Sequence, residues 1–219
     1  EHTRDETFVN ELFEIADEQI KLACDEVGED GIVEFRPVEN LWAFIDHSRI
    51  LSKIACMQGL ILYSLDKMIW LCKETGRTKE AEDYMKIAER MKHASRKLLY
   101  DSENKAFISE YDKHQYSVHA QVWMVLGNVL TKEENQEVLR RMLQADDIIK
   151  PTSPYMHHYV VEAMLAADMQ AEAMSYMENY WGQMADLGAD TYWETFVPGH
   201  PEESPYRDRI MDSAWHAWS

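Results

Sequence analysis

The sequence predicts an all-helical domain in which helices come in pairs, one member in an inner layer and one in an outer layer of a toroid. Segments with apolar residues three and four positions apart alternate with breaks, and sustained alternation with a period of two is nearly absent. The helical segments are of two kinds, apolar along one stripe or apolar nearly all round. Such a series favours a two-layered toroid over a four-helix bundle, with stacked helical repeats as the structural alternative.

The two kinds of helix alternate along the chain. Segment 78–100 carries a single apolar stripe and is expected to keep one face in water, whereas segment 50–72 is apolar on most sides and must be covered. The other predicted helices are amphipathic at 6–27, mostly apolar at 118–130, amphipathic at 133–145, mostly apolar at 155–167 and amphipathic at 171–184. A further inner helix is predicted to begin near Ser213, which gives seven to eight helices.

The connections between helices differ in length with their direction. Turns from an inner to an outer helix are short, at 75–77 and 168–170. Turns from outer to inner helices are mostly long, at 28–49, 101–117 and 188–212, with 146–152 as the shorter exception. In a toroid of hairpins all of these emerge on one rim, and long loops in a compact domain usually carry function. Their aromatic rings and carboxylates suit carbohydrate binding, although protein-binding surfaces can look similar.

Composition limits the partners. A chain of 219 residues with 46% hydrophobic residues is expected to form one domain, 1–219. Lys and Arg total 22 against 40 for Asp and Glu, and the net charge of -18 repels phosphate backbones and anionic headgroups. The start of the sequence has no signal-peptide pattern, and no apolar run is expected to span a membrane. Neither nucleic acid nor a membrane is therefore an expected partner, and the compartment is left open.

Motifs of several other enzyme and binding-site classes are missing from the sequence. It has no GxSxG elbow, no phosphate-binding glycine loop and no dinucleotide fingerprint. The three cysteines show no ligand spacing, and the adjacent His157 and His158 would point in different directions on a helix. No metal and no cofactor is expected.

Two residues of the rim are candidates for chemistry. Glu194 lies between Trp193 and Phe196, whose apolar side chains could tune its basicity. The alternative is a structural glutamate that holds hydrogen bonds. His216 lies at the predicted start of an inner helix facing the same rim, where it could bond a sugar hydroxyl or, alternatively, serve as a capping or core histidine.

Motifs along most of the chain carry a resemblance to a known family. They are FIDH at 44–47, SVHAQ at 117–121, YWGQM at 180–184, GADTYWE at 188–194 and HAWS at 216–219. In order and approximate spacing they resemble motifs of the α-L-rhamnosidases of glycoside hydrolase family 78. His47 stands where that family usually has tryptophan, and Trp215 where it commonly has cysteine.

The resemblance implies an (α/α)6 toroid of the six-hairpin glycosidase type that releases terminal α-L-rhamnose from glycosides by inversion. It implies that Glu194 is the general base, that His216 contacts the sugar, and that Trp42, Asp46 and Trp193 lie near it. The expected partner is a carbohydrate substrate. The alternatives are another (α/α)6 carbohydrate hydrolase or lyase, and a non-catalytic helical scaffold that binds carbohydrate or protein.

The resemblance also predicts that the toroid is incomplete in this sequence. A complete one needs about twelve helices, and inversion needs a second carboxyl group as general acid. In the family that acid lies in a segment N-terminal to everything in this chain, and nothing before Glu6 resembles it. The remainder of a parent chain, including any β-domains, is therefore an expected partner, and the isolated chain is expected to be inactive.

Overall fold

The computed structural model describes residues 6–34, 43–110, 113–207 and 212–216. In this part of the chain the helices are α1 (Glu6–Asp25), α2 (Ile54–Glu74), α3 (Thr78–Leu98), α4 (Val118–Leu126), α5 (Lys132–Gln144), α6 (Pro154–Ala166) and α7 (Gln170–Asp186). Each helix predicted between residues 6 and 184 is present, which confirms the helical fold. α4 ends at Leu126 rather than at 130, because Gly127 caps it and Asn128 takes a left-handed backbone conformation with φ of 53°.

The prediction of an eighth helix beginning near Ser213 is wrong for the residues that are described. Residues 212–216 are not helical. Their backbone instead pairs with the segment around Glu194, whose N–H donates to the carbonyl of Ser213 at 2.9 Å. Residues 213–216 are therefore held against residues 192–194 by backbone hydrogen bonds.

A small antiparallel sheet, which the sequence did not predict, occupies the connection between α3 and α4. Its strands β1 (Tyr100–Asp101), β2 (Ala106–Glu110) and β3 (Lys113–Tyr116) lie in the order β1-β2-β3. Gln121 of α4 holds β2, since its side chain accepts from the N–H of Phe107 at 2.7 Å and donates to the carbonyl of Phe107 at 2.8 Å. Strand β2 is thus fastened to the helix that follows the sheet.

The inner layer consists of α2, α4 and α6, with α4 in the middle. All residues of α4 are buried, and α4 contacts both α2 and α6. α2 and α4 approach closely at Gly59, where an added Cβ would lie 2.4 Å from the backbone carbonyl carbon of Trp123. The outer helices α1, α3, α5 and α7 each keep an exposed face. This is the arrangement expected of part of an (α/α)6 toroid, and closure of the ring stays a prediction.

Helix α2 departs from one expectation, because by length and composition it could cross a membrane. In the fold it is an inner helix and contacts α1, α3 and α4. Its buried residues, from Ala55 to Cys72, recur on several sides of the helix. Helix packing therefore accounts for those of its apolar residues that are buried.

The N-terminal ends of the inner helices meet the long connections at one end of the molecule. Three hydrogen bonds show this: Ser52 N–H to the side chain of Gln115 at 2.8 Å, Val118 N–H to the carbonyl of Ile149 at 2.9 Å, and Phe196 N–H to the carbonyl of Thr152 at 3.0 Å. They join the connections before α2, α4 and α6 to the segment after α7. This is the common rim that the loop lengths predicted.

Candidate active site

Glu194 lies on this rim with its carboxylate held from two sides. The Tyr206 hydroxyl donates to Oε1 at 2.6 Å, and the Ser213 N–H donates to Oε2 at 2.9 Å. His47 Nε2 lies 3.7 Å from Oε1, and the Glu194 side chain is 12% exposed. The carboxylate therefore has a fixed position in which part of it still reaches solvent.

The surroundings of Glu194 favour its ionised form. Burial favours the neutral acid, but the hydrogen bonds from Tyr206 and Ser213, together with the nearby imidazoles of His216 and His47, outweigh it. The pKa of Glu194 consequently lies below its ordinary value. Near neutral pH this group is a proton acceptor, as a general base must be.

Backbone pairing brings His216 beside this carboxylate. The His216 N–H donates to the carbonyl of Tyr192 at 2.9 Å, and the Glu194 N–H donates to the carbonyl of Ser213 at 2.9 Å. The segments 192–194 and 213–216 therefore run side by side. His216 is half-buried and interacts electrostatically with Glu194.

Phe196 anchors the loop that carries Glu194. Its side chain is buried, its N–H donates to the carbonyl of Thr152, and its own carbonyl accepts from the Tyr180 hydroxyl at 3.0 Å. Trp193 is half-buried and packs edge to face on Phe196, with ring centroids 5.9 Å apart. The loop is thus fastened to the start of α6 and to α7 within two residues of Glu194.

Asp46 lies beneath the rim and is 2% exposed. Both of its oxygens accept hydrogen bonds, and the donors are His47 N–H, His119 Nε2, Thr152 N–H and Oγ1, and Ser153 Oγ. Burial opposes its ionisation, but these bonds and His119 lower its pKa to about 2. Asp46 therefore joins the connection before α2 to the starts of α4 and α6, and its backbone continues directly into His47.

Two buried histidines lie deeper in the same region. His119 contacts Asp46 at 2.8 Å, and its Nδ1 has no hydrogen-bond partner among the described residues. His157 Nδ1 lies 2.6 Å from the Tyr176 hydroxyl, and its ring stacks on Tyr180 with centroids 3.5 Å apart. Burial lowers the pKa of His157 to about 3, so it is neutral. His158 is exposed, and the two adjacent histidines point apart as predicted.

Aromatic rings form a continuous wall next to Glu194. The centroid distances are 5.8 Å for His47 and Tyr206, 5.2 Å for Phe44 and His47, and 5.8 Å for Phe44 and Tyr155. Apolar ring faces next to a carboxylate and imidazoles suit a sugar, which is apolar on its faces and polar at its hydroxyls. The wall and Glu194 thus place apolar ring faces beside an ionised carboxylate.

The structure brings some of the predicted site residues together and leaves others apart. Glu194, His216 and Trp193 lie in one loop cluster, Asp46 lies under it, and Trp42 is outside the described residues. Sequence reasoning missed Tyr206, which has no motif around it. It placed His47 on the rim, in the connection 28–49, but assigned it no role and noted it as a departure from the family pattern.

Comparison with known proteins identifies structural relatives. No protein-family model matches the sequence, and no curated protein matches it. A rhamnosidase from Klebsiella oxytoca with rhamnose bound superposes with a TM-score of 0.88 at 33% identity, over 95% of this chain and 40% of that chain. A GH78 family rhamnosidase of Bacillus sp. GL1 superposes with a TM-score of 0.82 at 22% identity, over 100% of this chain and 23% of that chain. The chain thus spans less than half the length of either neighbour.

Proposed function

Since the chain is a member of the rhamnosidases of glycoside hydrolase family 78, with which it shares motifs and fold, we propose that it supplies the general base of an inverting glycosidase. The proposed substrates are glycosides that end in α-L-rhamnose. The observation that carries the proposal is the Glu194 carboxylate, which is kept ionised on a rim of aromatic rings. The rhamnose bound by the Klebsiella oxytoca protein supports the choice of sugar.

In the proposed reaction Glu194 takes a proton from a water molecule. The water oxygen attacks the anomeric carbon from the face opposite the leaving group, and the glycosidic bond breaks. A general acid protonates the departing oxygen, so the product sugar has the inverted configuration. Proton transfer of this kind needs no metal and no cofactor.

The general acid is proposed to lie outside these 219 residues. The acid must hold a proton near neutral pH, and Asp46 cannot, because its pKa is about 2 and both of its oxygens accept hydrogen bonds. In inverting enzymes the two carboxyl groups are roughly 6.5 to 9.5 Å apart, which leaves room for the water. We assign the acid and any β-domains to an upstream part of the protein, so the isolated chain 1–219 should not turn over substrate.

The proposed sugar contacts are of two kinds, hydrogen bonds to hydroxyls and packing against the apolar face of the ring. His216 lies beside the carboxylate and can bond a sugar hydroxyl, as can His47. Trp193 and Trp42 are proposed to lie near the apolar face of the sugar. Asp46 is proposed to act indirectly. Its carboxylate accepts a hydrogen bond from the His47 N–H and so helps to position His47.

The test replaces Glu194 in the full-length protein that contains this sequence. Glu194→Gln should lower turnover of an aryl α-L-rhamnoside by roughly a thousandfold, because loss of a general base typically removes two to four orders of magnitude. Binding of rhamnose, measured by calorimetry, should persist. Glu178→Gln, at an exposed position on α7, is the matched control and should keep full turnover.

Two outcomes would contradict the proposal. Near-normal turnover by Glu194→Gln would remove Glu194 from the reaction. Cleavage of other aryl glycosides by the unmodified protein, without cleavage of the rhamnoside, would keep the enzyme class but reject the sugar.

A further inference from the structure

Tyr206 is an exposed residue whose hydroxyl nevertheless makes a short hydrogen bond within the protein. The residue is 45% exposed, yet its hydroxyl donates a 2.6 Å hydrogen bond to Oε1 of Glu194. Its ring lies edge to face against His47, with centroids 5.8 Å apart. A tyrosine on a rim is free to turn toward water, so this orientation needs support from its own segment.

That support comes from contacts made by Tyr206 and by the two residues before it. The Tyr206 N–H donates to Oγ of Ser204 at 3.1 Å, and the Ser204 hydroxyl donates to Asp212 at 2.8 Å. Arg49 donates to the carbonyl of Pro205 at 3.2 Å, which links the segment to the connection before α2. The ring is therefore carried to Glu194 by a segment fastened to two other parts of the rim.

We propose that Tyr206 is a positioning residue, which holds the Glu194 carboxylate in the orientation and charge state in which it accepts a proton from water. The inference rests on the proposed role of Glu194 as general base. Ser213 N–H fixes Oε2 and the Tyr206 hydroxyl fixes Oε1, so the two together prevent rotation of the carboxylate. A backbone N–H holds Oε2, whereas the side chain of Tyr206 holds Oε1. A substitution of Tyr206 therefore removes the contact to Oε1 alone.

The groups around this carboxylate come from three segments of the rim. His47 faces it from the connection before α2, His216 faces it from the segment after 212, and Tyr206 faces it from its own segment. Asp212 acts electrostatically on Tyr206, and Arg49 lies near the same segment. Removal of the Tyr206 hydroxyl leaves both imidazoles in place, so a change in the titration of Glu194 would report the lost hydrogen bond.

Tyr206→Phe removes only the donor. A carboxylate that loses a hydrogen bond to its charged form becomes easier to protonate, so the pKa of Glu194 should move upward. The acidic limb of kcat/KM should move upward by the same amount in the full-length protein. At pH 7, kcat should fall roughly tenfold, with KM changed by less than about twofold.

Two measurements test the proposal. The first is a carbon-13 NMR titration of the Glu194 side-chain carboxyl, assigned by its loss in Glu194→Gln, which needs no substrate. The second is the pH profile of kcat/KM in the full-length protein. Tyr84→Phe is the matched control, because the Tyr84 hydroxyl donates to Asp17 at the same distance of 2.6 Å between α3 and α1. It should leave both readouts unchanged.

The outcomes separate this inference from the proposed function. An upward shift in both readouts with Tyr206→Phe, absent in Tyr84→Phe, supports positioning. An unshifted Glu194 titration overturns it, and so does a change confined to KM, which would make Tyr206 a substrate contact. If Glu194→Gln kept full turnover, the proposed function would fail by itself, whatever the NMR titration gave.

Discussion

The Tyr180 hydroxyl donates a 3.0 Å hydrogen bond to the backbone carbonyl of Phe196, and so anchors to α7 the loop that carries Glu194. Tyr180 is buried, as is Phe196. The carbonyl that this bond satisfies therefore has no easy access to water. The position of the candidate base depends on a contact made two residues away and below the surface.

Tyr180→Phe should destabilise the fold by about 1 to 2 kcal/mol, because it leaves a buried carbonyl without its donor. The free energy of unfolding in urea measures this. Tyr192→Phe removes a hydroxyl from a residue that is 57% exposed and should change stability by less than about 0.5 kcal/mol. Equal effects of the two substitutions would contradict the anchoring role.

Asp46→Asn should destabilise the protein by about 3 kcal/mol at neutral pH, because it removes the charge from a buried, fully bonded carboxylate paired with His119. The sign of the pH dependence follows from its pKa of about 2, below the ordinary 3.8. As pH falls through 3.8 the unfolded state takes up a proton before the folded state does, so this stabilisation is lost between about pH 4 and 2.

The Asp46 prediction is checked by urea unfolding of both proteins at a series of pH values. The difference in unfolding free energy between wild type and Asp46→Asn should be constant above pH 5 and should shrink toward pH 2. A difference that grows with acidification would show that Asp46 is protonated in the fold.

His157 should make the protein less stable in mild acid. Burial lowers its pKa to about 3, from an ordinary 6.5. Below pH 6.5 His157 binds a proton in the unfolded state but not in the folded state, so the free energy of unfolding falls as pH drops toward 3. His157→Phe keeps a ring against Tyr180, with its hydrogen bond to Tyr176 lost at every pH.

The His157 test compares how steeply the free energy of unfolding changes with pH in the two proteins. Loss of the Tyr176 contact lowers that free energy by the same amount at every pH and so does not affect the comparison. Relative to wild type, His157→Phe should gain roughly 2 kcal/mol between pH 7.5 and pH 5. Parallel pH profiles for the two proteins would mean that His157 is protonated in the folded state.

A glycine substitution in α2 tests the spacing of the inner helices, and one in the outer helix α7 is its control. Gly59→Ala puts a Cβ 2.4 Å from the backbone of Trp123. It should destabilise the fold by about 3 kcal/mol, because the clash is with backbone and can be relieved only by moving one of the two helices. Gly182→Ala lies within α7 with nothing within 4 Å of the added Cβ, and should stabilise by about 0.5 kcal/mol. Thermal unfolding measures both, and a harmless Gly59→Ala would contradict the close packing of α2 and α4.

The helices could be predicted from the sequence because their causes are local. Apolar spacing separates an outer helix such as α3 from an inner one such as α2, and Thr131 and Ser153 supply side-chain caps where α5 and α6 begin. The rim followed from loop lengths alone. Glu194 could be placed on it because it lies in the long connection 188–212, and His216 because it follows that connection closely, whereas their roles came from the motifs.

What the sequence did not reveal depends on contacts between distant residues. β2 is held by Gln121, which lies in the helix that follows it, and no periodic pattern records that bond. Ser213 forms backbone pairs because Glu194 is opposite it, so its helical pattern was overridden. Tyr206 donates a hydrogen bond to Glu194 from a segment that has no periodic pattern, so the sequence could not predict this contact. The structure also gives Asp46 buried partners that its motif could not specify.

Azide rescue of Glu194→Ala in the full-length protein tests whether Glu194 is the general base. Azide needs no base to remove a proton, so it can replace water as nucleophile when the general base is missing. If Glu194 is that base, turnover of an activated aryl α-L-rhamnoside should recover with azide, and proton NMR should show the β-configured rhamnosyl azide. Failure of azide to restore turnover, or formation of the α-configured azide, would contradict the assignment of Glu194 as general base of an inverting reaction.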